Sequence, residues 1–151
     1  MWRPKLTVLI GALLLSLAVP RVSAAQMLIS ESEAKLPPSQ DASMVTRGLT
    51  RGPAIEQVSP AVGATTVKSP MMLKIKFIAR NNVDVDPASV KLTYLKVPQV
   101  DLSDRIKSYV TKDGITMAAA EVPPGNHVLR LDVKDKEGRA ASSTITLTVV
   151  K

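Results

Sequence analysis

Apolar and polar residues alternate most strictly towards the end of the chain. Leu129, Leu131 and Val133 share one parity, and Val128, Arg130, Asp132 and Lys134 share the other. A short stretch of Asp135, Lys136, Glu137 and Gly138 follows, after which Ile145, Leu147 and Val149 alternate with Thr144, Thr146 and Thr148. A period of two puts successive side chains on opposite faces of a strand, so this stretch predicts a β-hairpin with one dry and one wet face. A hairpin cannot bury its own dry face, and the rest of the chain must supply a second sheet to cover it.

The same pattern extends back to Pro53. Residues 54–58 predict a first edge strand, closed by Ser59-Pro60 and Gly63. In 71–80, Leu73, Ile75, Phe77 and Ala79 alternate with Lys74, Lys76, Ile78 and Arg80, and Asn81 and Asn82 then suit a turn because Asn tolerates positive φ. A strand over 90–97 sets Val90, Leu92 and Tyr94 against Lys91, Thr93 and Leu95. The period then shifts: Leu102, Ile106 and Tyr109 or Val110 recur at helical spacing, with Asp101 placed to cap the first turn. Residues 115–122 return to extended structure, ended by the Pro123-Pro124-Gly125 turn. About six or seven antiparallel strands with one short helical turn predict an all-β sandwich. Its core is expected to hold Leu73, Ile75, Phe77, Val90, Leu92, Tyr94, Leu129, Leu131, Val133, Ile145, Leu147 and Val149.

Composition changes the picture at the N-terminus. Arg3 and Lys5 precede an apolar run over 6–19, Pro20 breaks it, and Val22, Ser23, Ala24 and Ala25 are small enough for cleavage after Ala24 or Ala25. The run of about 14 residues falls short of the roughly 20 that span a bilayer, so 1–25 reads as a signal peptide that leaves no stable membrane span. The expected location is the periplasm or the medium. Losing Arg3, Lys5 and Arg21 from 20 basic residues, with all 13 acidic ones kept, lowers the formal charge from +7 to +4. That modest and scattered excess gives no footprint for nucleic acid. With no cysteine, disulfides and a lipidated N-terminus are excluded.

Residues 26–52 are polar and aperiodic, with Pro37-Pro38, and read as a flexible leader before the sandwich domain at 53–151. Arg47 and Arg51, in the near-repeat Thr46-Arg47-Gly48 and Thr50-Arg51-Gly52, are candidates for contact with an acidic partner surface.

The turns carry a family resemblance. Ser59-Pro60-Ala61-Val62-Gly63-Ala64 and Val85-Asp86-Pro87-Ala88-Ser89-Val90 each stand before a strand. With Pro124-Gly125-Asn126-His127, Asp135-Lys136-Glu137-Gly138-Arg139 and Thr148-Val149-Val150, they resemble bacterial immunoglobulin-like domains of the cadherin or invasin type, over about 95 residues. The resemblance implies an immunoglobulin-like β-sandwich and is nearly silent on function. Ser59-Pro60-Ala61 with Gly63-Ala64 is also similar, more weakly, to the opening of periplasmic copper-resistance sandwich proteins.

Those resemblances frame the candidate chemistry. In cadherin-like modules, acids at the sandwich ends can ligate calcium, which makes Asp84, Asp86, Asp132, Asp135 and Glu137 candidates, although Lys134 and Lys136 stand among them. Met71 and Met72 are soft candidates for copper, with His127 as a partner. No cofactor is expected beyond these. Catalysis is poorly supplied: His127 is the single histidine, no Gly-x-Ser-x-Gly elbow presents a serine, and His127 is expected as an exposed strand-end residue. After the signal only Phe77, Tyr94 and Tyr109 are aromatic, too few for a sugar platform.

The expectation is therefore a non-enzymatic exported module, an adaptor or structural piece of the cell envelope. Its partner would be another envelope or extracellular protein, met through a strand edge or the end loops, and self-association through an edge stays open. A periplasmic carrier of copper or calcium is the alternative.

Overall fold

The computed structural model describes residues 24–43 and 51–151. The expected signal, apart from Ala24 and Ala25, lies outside the described residues, as does Arg47. In chain order the elements are β1 (Gln26–Met27), α1 (Glu31–Ala34), β2 (Ala54–Ser59), β3 (Val67–Lys68), β4 (Met71–Ile78) and β5 (Lys91–Tyr94). Then come β6 (Val100–Asp101), α2 (Ser103–Ile106), β7 (Val110–Thr111), β8 (Gly114–Glu121), β9 (Gly125–Lys134) and β10 (Ala140–Val150). They form an all-β sandwich of two five-stranded sheets. The first has the order β1-β8-β4-β2 with β7 also on β8, and the second has β3-β10-β9-β5-β6. Among the described residues, β2, β4, β5, β8, β9 and β10 have four residues or more, which are the strands that a period of two can reveal. The other four strands have two residues each.

The expected terminal hairpin forms, with pairing from Lys134 opposite Ala140 to Gly125 opposite Val149. Its turn closes with the Gly138 N–H donating to the Asp135 carbonyl at 2.9 Å, and Gly138 takes φ +81°, where a side chain would be strained. In β4, Leu73, Ile75 and Phe77 point inward while Lys74 and Lys76 point out. Ala79, expected inside, is exposed because β4 stops at Ile78 and the chain turns through Asn81 and Asn82 at φ +54° and +57°. The core lies between the sheets and contains every predicted residue except Val90, which is half-buried at its margin. Burial of each Leu or Ile there stabilises by about 1.5–3 kcal/mol. Ile115 and Met117 of β8 and Leu102 and Ile106 around α2 complete it.

Asp101 caps α2 from one position earlier than a standard cap, its Oδ1 accepting from the Ser103 N–H at 2.9 Å and from the Ser103 hydroxyl at 2.5 Å. The chain also changes sheets early: β2 pairs antiparallel with β4, and β3 then pairs parallel with β10.

The expected flexible leader is the main correction, because residues 26–43 belong to the fold. β1 pairs parallel with β8, Gln26 opposite Ala120 and Met27 opposite Glu121. Leu28 and Ile29 follow at 0% and 2% exposure, inside the core. Ser30 and Glu33 then form a reciprocal cap on α1: Glu33 N–H donates to Ser30 Oγ at 3.3 Å and Ser30 N–H to Glu33 Oε2 at 2.9 Å. Arg105 on α2 fastens the turn with a bidentate pair, Nη1 and Nη2 reaching the Glu33 oxygens at 2.8 and 2.7 Å, and its Nη1 also donates to the Leu28 carbonyl at 2.8 Å. Further on, Pro38 bridges Lys96, Val97 N–H donates to the Pro37 carbonyl at 2.9 Å and Ser39 N–H to the Leu95 carbonyl at 3.1 Å.

Candidate functional site

Three places bear on the candidate chemistry, and the first two hold most of the described residues singled out by sequence. At one end of the sandwich the two acidic turns meet, since Val85 bridges Asp135, Lys136 N–H donates to the Asp84 carbonyl at 3.0 Å and Asp86 N–H to the Lys134 carbonyl at 2.9 Å. Their carboxylates are engaged within the fold. Asp86 accepts from the Ala88 N–H at 3.0 Å, Asp84 pairs with Lys136 at 3.5 Å, and Glu137 pairs with Arg139 at 3.1 Å. Asp135 is buried and accepts from Glu137 N–H at 3.0 Å, Arg139 N–H at 2.9 Å and Arg139 Nε at 2.6 Å. Burial pushes its carboxyl up, but the bonds and charge of Arg139 with the Glu137 N–H outweigh this and hold it below the usual carboxylate range. Asp132 lies further along β9, against Arg130 and the Ser142 hydroxyl. No group of three or more His, Cys, Asp and Glu side chains that could hold a metal ion occurs among the described residues.

The soft-ligand candidates Met71 and Met72 lie on opposite faces of β4. Met71 points into the core and Met72 out of it, at 49% exposure, because neighbours in a strand face opposite sides. His127 is not an exposed strand end but is buried at 1% exposure. β9 begins at Gly125, so His127 shares the inward parity of Leu129 and Leu131. Its Nε2 lies 2.8 Å from the Pro123 carbonyl and its Nδ1 2.8 Å from the Tyr94 hydroxyl. A carbonyl can only accept, so the proton sits on Nε2 and Nδ1 accepts from Tyr94. Burial lowers the pKa of His127; the Pro123 bond opposes that, and Lys96 adds to it. Burial, helped by the Glu33 charge, pushes the Tyr94 phenol up to about 12. Lys96 lies 5.3 Å from the centre of the Tyr94 ring and donates to the Ala34 and Leu36 carbonyls at 3.0 and 2.9 Å. This cluster ties the N-terminal segment to the second sheet.

The third place is the outer face of the second sheet. Thr93 and Leu95, expected in water, are 8% and 4% exposed. They sit in a shallow groove of about 240 Å³ whose other lining residues are Lys91, Gln99, Arg130 and Asp132. Pairing of β5 with β9 puts Lys91 opposite Asp132 and Thr93 opposite Arg130, while β6 puts Asp101 beside Thr93. Arg130 Nε and Nη2 bond Asp132 Oδ1 at 3.1 and 3.0 Å, and Lys91 stands 3.9 Å from Asp101. The N-terminal segment braces one rim, with Gln99 Nε2 donating to Asp41 at 3.3 Å. Arg51 is exposed beside Gly52, whose backbone packs against Ala140 so closely that a Cβ there would lie 2.4 Å from the Ala140 carbonyl oxygen.

No family model matches the chain, and no curated protein matches it. Among solved structures, CopC from Methylosinus trichosporium OB3b is similar, at 21% identity and a TM-score of 0.42, over 64% of this chain and 93% of that chain. No helix among the described residues is long and apolar enough to cross a membrane.

Proposed function

We propose that the chain is an exported, non-enzymatic module of immunoglobulin-like strand order that binds another envelope or extracellular protein through the outer face of its second sheet. The groove carries this reading. A sheet face that served only solubility would be evenly wet, whereas here a nearly buried floor of Thr93 and Leu95 is set within a charged rim. A floor of that kind, ringed by a few polar groups, suits an anchoring side chain from a partner.

The strand order supports the immunoglobulin-like part of the reading. Grouping β2, β4 and β8 against β5, β9 and β10 corresponds to strands A, B and E against C, F and G of such sandwiches. β1, from the N-terminal segment, lies beside β8, where strand D would lie. Export is supported by the apolar run at 6–19 and the small residues after it.

A photo-crosslinking residue placed at Gln99 in intact cells tests the proposal. One dominant protein partner is expected, lost when Lys91 and Arg130 are both changed to Glu in a chain that still melts cooperatively. Recovery of the chain alone would overturn it.

A further inference from the structure

Resting on that reading of the groove, we propose that it takes an acidic side chain, Asp or Glu, carried by the partner protein next to an apolar residue that lies over Leu95. Several donors in the groove are only weakly engaged by the protein. Asp132 is the one carboxylate among its lining residues, and its Oδ1 already accepts from Arg130 Nε, Arg130 Nη2 and the Ser142 hydroxyl. On the donor side, the Lys91 ammonium has only Asp101, 3.9 Å away, with both side chains 58% exposed. Asp101 is itself held by Ser103, through the backbone N–H and the hydroxyl. The Arg130 Nη1 makes no hydrogen bond among the described residues, and neither does the Thr93 hydroxyl. Lys91 and Arg130 occupy adjacent rows of the outer face, Arg130 directly opposite Thr93 and Lys91 two residues along the strand from Thr93.

Two cationic groups and a hydroxyl with free donors call for an acceptor with charge, and a carboxylate is the protein group that fits. It comes from a side chain rather than a chain terminus. A terminal carboxylate is captured by converging backbone N–H groups, and within a sheet those lie in the plane of the strands, pointed at neighbouring strands. The floor supplies Leu95 for the apolar neighbour.

The test uses ¹⁵N-labelled protein recovered from exporting cells, titrated with the blocked peptide acetyl-Leu-Glu-Val-amide and with its Gln counterpart. The Glu peptide is expected to shift the amides of Thr93, Leu95 and Arg130 saturably and to bind about tenfold more tightly than the Gln peptide. In the variant Lys91→Met with Arg130→Met, an unchanged melting temperature should accompany loss of that preference. Equal binding of both peptides would overturn the inference, as would equal displacement of the Glu peptide by inorganic phosphate, which would mark a site for small anions. Silence of the Glu peptide while Gln99 still captures one partner in cells would overturn the carboxylate and leave the protein-binding reading standing. Peptide binding with no captured partner would support the carboxylate and overturn that reading.

Discussion

Two arginine–carboxylate pairs in this sandwich use the same chemistry for opposite ends. Arg105 reaches Glu33 through both terminal nitrogens and gives a further bond to the Leu28 carbonyl, with the two side chains only 32% and 17% exposed. Arg130 reaches one oxygen of Asp132 from two residues away in the same strand and is 54% exposed. The first pair joins segments 72 residues apart and holds the N-terminal turn onto α2. The second joins nothing that the strand does not already join, and it keeps donors in reserve over a groove. The contrast teaches that an ion pair's part in the fold depends on what its members tie together.

The comparison can be broken most forcefully at Leu28. If the N-terminal segment is core, Leu28→Ala removes a fully buried side chain and should cost about 2–5 kcal/mol in urea unfolding. A loss under about 0.5 kcal/mol would return 26–43 to the status of a leader. Arg105→Met comes next, at about 2 kcal/mol, since it strands the Glu33 carboxylate and the Leu28 carbonyl together.

Acid should reveal the same lock. The hydrogen bonds from Arg105 hold Glu33 at about 2, against 4.5 ordinarily, despite some burial. The lowered pKa means that the unfolded chain binds the proton first, so this stabilisation is complete above about pH 4.5 and drains away as pH falls towards 2. Stability measured against pH should lose part of its acid limb in Glu33→Gln. His127 adds a smaller component that begins at higher pH. Its pKa is lowered by burial, so the neutral ring is the folded form, and stability should start to decline as pH drops below the ordinary 6.5. An imidazole proton signal that titrates at or above 6.5 would contradict the buried placement.

How far the sequence reveals these features depends on the length of each pattern. β4, β9 and β10 run for 8 to 11 residues, enough for a period of two to show, and their inward residues are legible one by one. β1 has two residues and α1 has four, too few for any period to register. The local signal for that turn is chemical: Ser30 followed three residues later by Glu33, after the apolar pair Leu28 and Ile29. The burial of His127 follows from extending the parity of Leu129 back by two residues. The groove is different in kind. Thr93 and Leu95 alternate as wet-face residues should, yet Thr93 lies between Arg130 and Asp101 of the neighbouring strands, and the backbone of Leu95 takes a bond from Ser39, 56 residues earlier. Nor can sequence alone set Lys91 and Thr93 of β5 beside Asp132 and Arg130 of β9, because that register joins strands with three others between them.

The smallest expected change in stability is the sharpest test of the contrast. Lys91→Met and Arg130→Met, singly or together, should shift unfolding by no more than about 0.5 kcal/mol, since exposed pairs contribute little and the strand keeps its register through backbone bonds. The same substitutions should abolish capture of the partner at Gln99. If Arg130→Met costs as much as Arg105→Met, its pair with Asp132 is structural and the donors over the groove have no claim on a ligand. If the stability is indifferent while capture is lost, the two arginines divide cleanly, one holding the N-terminal segment in place and the other facing the partner.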